Sequence, residues 1–365
     1  MTTRRHVLQV AAGLGLAGLS APKLHAATAP TRTVEPSAAP LKLLILGGTG
    51  FIGPHQVEYA LARGHTVTVF NRGRKSGLFG ERVEELQGDR DSTIDSGLTA
   101  LAGERTWDVV IDNSGYVPRH VRDSATLLKD RCRRYVYVST VAVYPEFAGV
   151  FGEDAPIAEL EDKSIEDVSG ATYGPLKAEC DRVVIEVLGA KGTIVRPTYI
   201  VGPGDTTDRF TYWVDRMQRG GDVVGAAHTE VGVQVVDVRD LCPWVVTLAE
   251  NDTPGIFNAA GPVFTRVGFL WGLRASSAAD VTFHWPTPEL VAELELPAPM
   301  LDWGSHSQTF PGAASIAKGM KYRSLAESAA GTLEWWRAQT DERRSKARGW
   351  PTPELEAAAV ARLKG

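Results

Sequence analysis

Tyr173 and Lys177, in Tyr173-Gly174-Pro175-Leu176-Lys177, are the pair in this chain best suited to moving a proton. The i, i+4 spacing puts both on one helix face. An ammonium held near a phenol favours the phenolate and draws a pKa that starts at about 10 toward the range of a working general base. Pro175 has no N–H and suits only a first helical turn, so the spacing predicts Tyr173 at the mouth of a helix. The same pattern also arises as a surface aromatic beside a solvated lysine, and its weight comes from what lies upstream.

Upstream is a glycine turn, Gly47-Gly48-Thr49-Gly50-Phe51-Ile52-Gly53, between the apolar run Leu43-Leu44-Ile45-Leu46 and the helix-like Val57-Glu58-Tyr59-Ala60-Leu61. A strand, a glycine turn and a helix N-terminus together cradle a dinucleotide pyrophosphate. Gly47 can take a positive φ, Gly50 admits phosphate to backbone N–H groups, and Gly53 allows close helix packing. Gly47, Gly50, Phe51, Ile52 and Gly53 are the candidate contacts. Thr66-Val67-Thr68-Val69-Phe70 stands at the spacing of a second parallel strand, and further runs follow at Glu84-Glu85-Leu86-Gln87, Asp108 to Asp112 and Tyr135 to Val138. The alternation predicts an α/β fold: a doubly wound parallel Rossmann sheet with a smaller C-terminal substrate lobe.

Ligands of such a sheet collect at the carboxyl ends of the strands. Those ends carry Asn71-Arg72-Gly73-Arg74, Asp89, Asn113-Ser114 and Ser139-Thr140. An acid after the second strand would accept the ribose hydroxyls of NAD, whereas Asn71, Arg72, Arg74 and Lys75 suit a 2′-phosphate, so NADP is preferred over NAD. A solvated basic loop, or Arg72 stacked on adenine, is the competing reading. Asp89 is placed to accept from the adenine amino group, or else serves as a turn residue.

The 365 residues are 43% hydrophobic with a formal charge of −5, enough for one large core with a lobe, and nothing in them favours nucleic acid as a partner. Cys132, Cys180 and Cys242 are widely spaced in apolar or helical surroundings and read as buried free thiols. His228 and His284 lack spaced partners, so no metal site is expected. Residues 1–29, with Arg4-Arg5 ahead of a Gly/Ala-rich run too short for a stable membrane span, resemble a twin-arginine export signal, which implies a periplasmic or secreted protein; 30–41 read as a linker. The Rossmann domain is expected over 42–204 plus 234–262, the lobe and a packing helix over 205–233 plus 263–345, and a C-terminal helix over 346–365. In the lobe, Arg209, Tyr212 and Trp213 combine a cation with aromatic faces suited to a sugar ring or anionic substrate, although Phe210, Trp213, Val214 and Met217 also fall at helical core spacing. Leu325, Ala329 and Leu333 predict a helix packed on the Rossmann core.

Taken together, the glycine turn, Val138-Ser139-Thr140-Val141-Ala142-Val143-Tyr144, the Tyr173/Lys177 pair, Val195-Arg196-Pro197, Val201-Gly202-Pro203-Gly204 and Val236-Asp237-Val238-Arg239-Asp240-Leu241 resemble the extended short-chain dehydrogenase/reductases of the NAD(P)-dependent epimerase/dehydratase group. Gly-Gly-Thr-Gly-Phe-Ile-Gly and Phe-Asn-Arg-Gly-Arg look more like the atypical branch that includes chloroplast stem-loop RNA-binding proteins. The resemblance implies Thr140 as the hydroxyl on the reacting oxygen, Tyr173 as acid/base, and Lys177 as the residue that holds the nicotinamide ribose and tunes the tyrosine. It adds Pro197 to the cofactor contacts and a homodimer as the common assembly. The 4,6-dehydratases of the family place Asp-Glu after the threonine; Val141-Ala142 here leaves that elimination route without its acid and base. The expected function is hydride transfer at a hydroxyl or carbonyl carbon of a sugar-like or small carbonyl substrate, by epimerisation or net oxidoreduction. A non-catalytic dinucleotide sensor or RNA-binding Rossmann protein is the alternative.

Overall fold

The computed structural model describes residues 34–301 and 305–365; the expected export segment 1–29 and the start of the linker lie outside them. Apolar runs ended by glycine or polar turns form β1 (Lys42–Leu46) and β2 (Thr66–Asn71), the polar edge strand β3 is Glu84–Gln87, and further apolar runs form β4 (Val109–Asp112) and β5 (Arg134–Val138). With Gly192–Pro197 and Gly255–Ala259 they make a seven-stranded sheet in the order Gly255–Ala259, Gly192–Pro197, β5, β4, β1, β2, β3. Every neighbouring pair is parallel. The chain reverses direction across the sheet between β1 and β4, which opens a crevice at their carboxyl ends.

β1 is covered on both faces, as its unbroken apolar sequence requires. Leu43 and Ile45 pack with Val57 and Ala60 of α1 (Ile52–Ala62) and with Leu241 and Val245 of α5 (Val238–Glu250). Leu44 and Leu46 face the opposite layer, with Val121 and Ala125 of α2 (Pro118–Leu128) and Cys180 and Val184 of α3 (Tyr173–Leu188). Full burial of each leucine or isoleucine contributes about 1.5–3 kcal/mol.

The lobe is built on α4 (Arg209–Arg219), α6 (Arg266–Ala275) and the helix Leu325–Arg337, around Phe210, Trp213, Met217, Phe269 and Leu270. Of the two readings of the lobe aromatics the structure takes the core one, and the placement of one helix differs from expectation. Tyr212 and Trp213 belong to this core, with Trp213 only 1% exposed, because its indole N–H donates to Pro299 O at 2.6 Å and its ring packs edge-on against Tyr212. The helix carrying Leu325, Ala329 and Leu333 packs on α4 and α6 of the lobe instead of on the Rossmann sheet layer. The C-terminal helix Pro353–Lys364 closes the lobe: buried Glu356 accepts from Arg216 Nε at 2.9 Å, and Trp350 donates its indole N–H to Asp208 O at 3.0 Å.

Among the described residues no helix is long and apolar enough to cross a membrane, and no group of three or more His, Cys, Asp or Glu side chains could hold a metal ion. Cys132, Cys180 and Cys242 are buried free thiols.

Candidate active site

Between β1 and α1 the chain turns on Gly47, whose φ of +82° belongs to glycine and whose missing Cβ would stand 2.8 Å from Ser114 Cβ. Gly53 is required by contact: a Cβ there would lie 2.4 Å from the backbone of Gly48, so the turn and the first helical turn touch. No side chain caps α1 and no acid sits in its first turn, which leaves its N-terminal N–H groups open to an anion.

These residues border a cleft of about 630 Å³. Gly47, Gly50, Phe51, Ile52, Asn71, Arg72, Arg74, Asp89, Asn113, Ser114, Tyr173 and Lys177 all line it, while Gly53 packs behind it and Pro197 faces a second cavity. The β2 end holds no acid. Asn71 accepts from Gly73 N at 2.8 Å, and its buried Nδ2 has no hydrogen-bond partner among the described residues. Asn113 is braced by Gln56, whose Oε1 accepts from Asn113 Nδ2 at 2.6 Å.

The second cavity, about 820 Å³, lies between the strand ends and the lobe and is lined by Thr140, Pro197, Arg209, Arg266 and Gln308 among others. Phe51, Ser139, Tyr173 and Ile200 border both spaces. Tyr173 therefore stands where a ligand of the first cleft would meet a ligand of the second. Its position is set locally: it opens α3, Pro175 falls in the first turn, and Gly174 lets the helix start against the Thr140–Ala142 turn, where a Cβ would come within 2.3 Å of Ala142 O. Thr140 Oγ1 accepts from Ala142 N at 3.2 Å, which leaves its hydroxyl proton for the cavity.

Lys177 departs from the expected role. It is 2% exposed, and its ammonium donates to Gly115 O at 2.7 Å, Val138 O at 2.9 Å and the Tyr137 hydroxyl. Tyr137 in turn donates to Gly115 O at 2.6 Å. The ammonium is thus committed to the ends of β4 and β5, and the Tyr173 phenol is not lowered. Burial pushes it up to about 12, the Tyr116 phenol adds to the rise, and the Thr140 hydroxyl and the Arg209 guanidinium pull the other way.

Three lining residues escaped the sequence reading. Tyr116, half-exposed, has its ring 6.4 Å from that of Tyr173 and 5.4 Å from the Lys177 nitrogen; an aromatic two residues beyond Ser114 was the available signal. Ile200 joins the two cavities. Arg90, next to Asp89, is buried and grips Asp112 through both terminal nitrogens, at 2.5 and 3.0 Å. Burial alone would raise the Asp112 carboxyl; Arg90 and the Tyr135 hydroxyl overcome it and hold the group below the usual carboxylate range.

Known proteins agree with this architecture. The chain matches the NAD dependent epimerase/dehydratase family over residues 43–260. It is 26% identical over 266 residues to the chloroplast stem-loop binding protein of 41 kDa b of Arabidopsis thaliana, covering 68% of this chain and 65% of that protein. A UDP-glucose 4-epimerase of Neisseria meningitidis serogroup B is 27% identical over 169 residues, 40% of this chain and 48% of the enzyme. The chain thus spans about two thirds of the first of these relatives and about half of the second. The crystal structure of UDP-glucuronic acid 4-epimerase from Bacillus cereus in complex with NAD superposes with a TM-score of 0.60 at 14% identity, over 81% of this chain and 98% of that one, a likeness of fold. With its glycine turn, its sheet order and a match across more than half its length, the chain belongs to the NAD dependent epimerase/dehydratase family.

Proposed function

We propose that the protein is an NAD(P)-dependent epimerase or oxidoreductase that acts on a hydroxyl or carbonyl carbon of a sugar-like or small carbonyl substrate, with Tyr173 as acid/base and Thr140 on the reacting oxygen. The observation that carries this reading is the place of Tyr173 at the junction of the two cavities. A dinucleotide fits the first cleft: the uncapped α1 terminus and the Gly47 turn suit its pyrophosphate, and the nicotinamide would supply the hydride acceptor or donor. Lys177 supports this site indirectly, its ammonium bonded to Gly115 O, Val138 O and the Tyr137 hydroxyl along the wall of the cofactor cleft. NADP is preferred over NAD because Arg72, Arg74 and Lys75 line the adenosine end and no carboxylate follows β2 there. The segment 1–29 supports export of the folded protein with cofactor bound, which favours a free sugar or sugar lactone over a cytoplasmic nucleotide sugar.

The test is purification without added cofactor, fluorescence for bound nicotinamide, and a panel of sugars and ketones offered to wild type and Tyr173→Phe. Turnover that the substitution removes supports the enzyme. Nicotinamide binding without turnover in either protein, or RNA binding at physiological salt, would instead support the binding-module reading suggested by the name of the plant relative.

A further inference from the structure

We propose that Arg209 seats an anionic group of the substrate, a carboxylate or a phosphate, beside the carbon handled by Tyr173; the inference rests on the acid–base reading of Tyr173 above.

Arg209 opens α4 and lines the second cavity with Tyr173 and Thr140. Its placement is built by the segment before it. Buried Asp205 accepts from Thr207 N at 2.8 Å and from Thr207 Oγ1 at 2.7 Å, and Thr207 Oγ1 accepts from Arg209 Nε at 3.0 Å. Asp208, in the left-handed conformation at φ 59°, is clamped by Arg343 at 2.5 and 3.1 Å and through its carbonyl by Trp350. The guanidinium carbon lies 5.2 Å from the centre of the Tyr199 ring. The head group is therefore held through Nε and one face, while its two terminal nitrogens donate to no group among the described residues.

A planar fork with both ends free is the geometry that matches a carboxylate or phosphate. Asp205 feels the charge of Arg209, but among the described residues no charged side chain of the cavity hydrogen-bonds to its terminal nitrogens. Asp205 accepts from Thr207 N and from the Thr207 hydroxyl, whose one proton is shared between both carboxylate oxygens; Arg266 donates to Ala227 O at 2.9 Å and has further partners, and Glu146 is an exposed residue. The charge of Arg209 also reaches Tyr173, whose phenol it pulls downward, so an anion seated on it would lie close to the reacting centre. A neutral sugar would leave this prepared fork in water.

Three probes of one ring size separate the cases: glucose, glucuronate and glucose 6-phosphate, titrated calorimetrically into the full-length protein with NADP present. In wild type at least one of the two anions should bind about tenfold or more tighter than glucose, as expected for a charge-assisted pair of hydrogen bonds. Whichever anion is preferred identifies carboxylate or phosphate. In Arg209→Gln the preference should fall to within about twofold, and Arg209→Lys, which keeps the charge without the fork, should be intermediate. Melting temperatures and NADP affinity should match across the three proteins, because Arg209 lies outside the cofactor cleft. Absence of discrimination in wild type, including no binding of any probe, or a preference that survives in Arg209→Gln, overturns the proposal. Discrimination lost with Arg209 alongside turnover that survives Tyr173→Phe would keep the anion site and remove the acid–base reading.

Discussion

In the cofactor-free protein Tyr173 should be a protonated phenol throughout the neutral range. Its pKa stands at about 12 against an ordinary 10, chiefly through burial. Two pH units correspond to about 3 kcal/mol against the phenolate, an upper figure because the ring is partly exposed. The sign follows from which form burial penalises: the folded state prefers the neutral phenol, so its contribution to stability is full below pH 10 and is lost as pH rises through 12. The assay is ultraviolet difference titration at the phenolate band, wild type against Tyr173→Phe. The two curves should coincide up to about pH 10, and the missing chromophore should show only above it. A phenolate that appears between pH 7 and 9 in wild type and vanishes in Tyr173→Phe would refute the reasoning and restore Lys177 as the tuning cation. Under turnover the same substitution should lower kcat by about 10²–10⁴, the usual worth of a placed acid/base.

Gly53→Ala should weaken dinucleotide binding at least tenfold and cost about 1–3 kcal/mol in urea denaturation, because its Cβ meets rigid backbone of Gly48 at 2.4 Å; unchanged cofactor affinity would contradict the packing argument. Arg196→Met should cost about 3–5 kcal/mol, since Asp181, fully buried and bonded by Arg196 Nε at 2.9 Å, would be left as an unpaired buried carboxyl. The double variant Arg196→Met/Asp181→Leu should recover much of that loss in the same denaturation assay. Glu356→Gln should loosen the lobe by about 1–3 kcal/mol, read as faster proteolysis near α4, because Arg216 is buried and pairs with the Glu356 carboxylate.

The Rossmann half was legible because its signals are local. A strand, glycine turn and helix lie within some twenty residues, and apolar runs such as Val109–Asp112 and Arg134–Val138 are strands whether or not their partners are known. Tyr173 at the mouth of α3 was legible for the same reason, since Pro175 fits only the first turn. The direction of the Lys177 ammonium was not. Its acceptors, Tyr137 and Gly115, lie 40 and 62 positions away and become neighbours only when β4 and β5 pair beneath α3. Tyr212 and Trp213 were ambiguous: aromatic faces beside Arg209 fit a sugar, while Trp213 with Phe210, Val214 and Met217 at helical spacing fits a core, and the core is confirmed by Pro299, 86 residues downstream of Trp213.

Lys177 and Arg209 divide between them a task that the sequence assigned to one residue. Lys177, enclosed and bonded to three acceptors, fixes the ends of β4 and β5 against α3 and so sets the shape of the wall on which Tyr173 stands. Arg209, held by Thr207 and Tyr199, is the cation of the second cavity whose field reaches the phenol. A rigid ammonium cannot follow a substrate, whereas a tethered guanidinium can meet one. The consequence is a coupling between binding and acidity. An anion seated on Arg209 would neutralise a cation that pulls the Tyr173 pKa downward and so strengthen the preference for the protonated phenol, the form that donates a proton to a carbonyl oxygen.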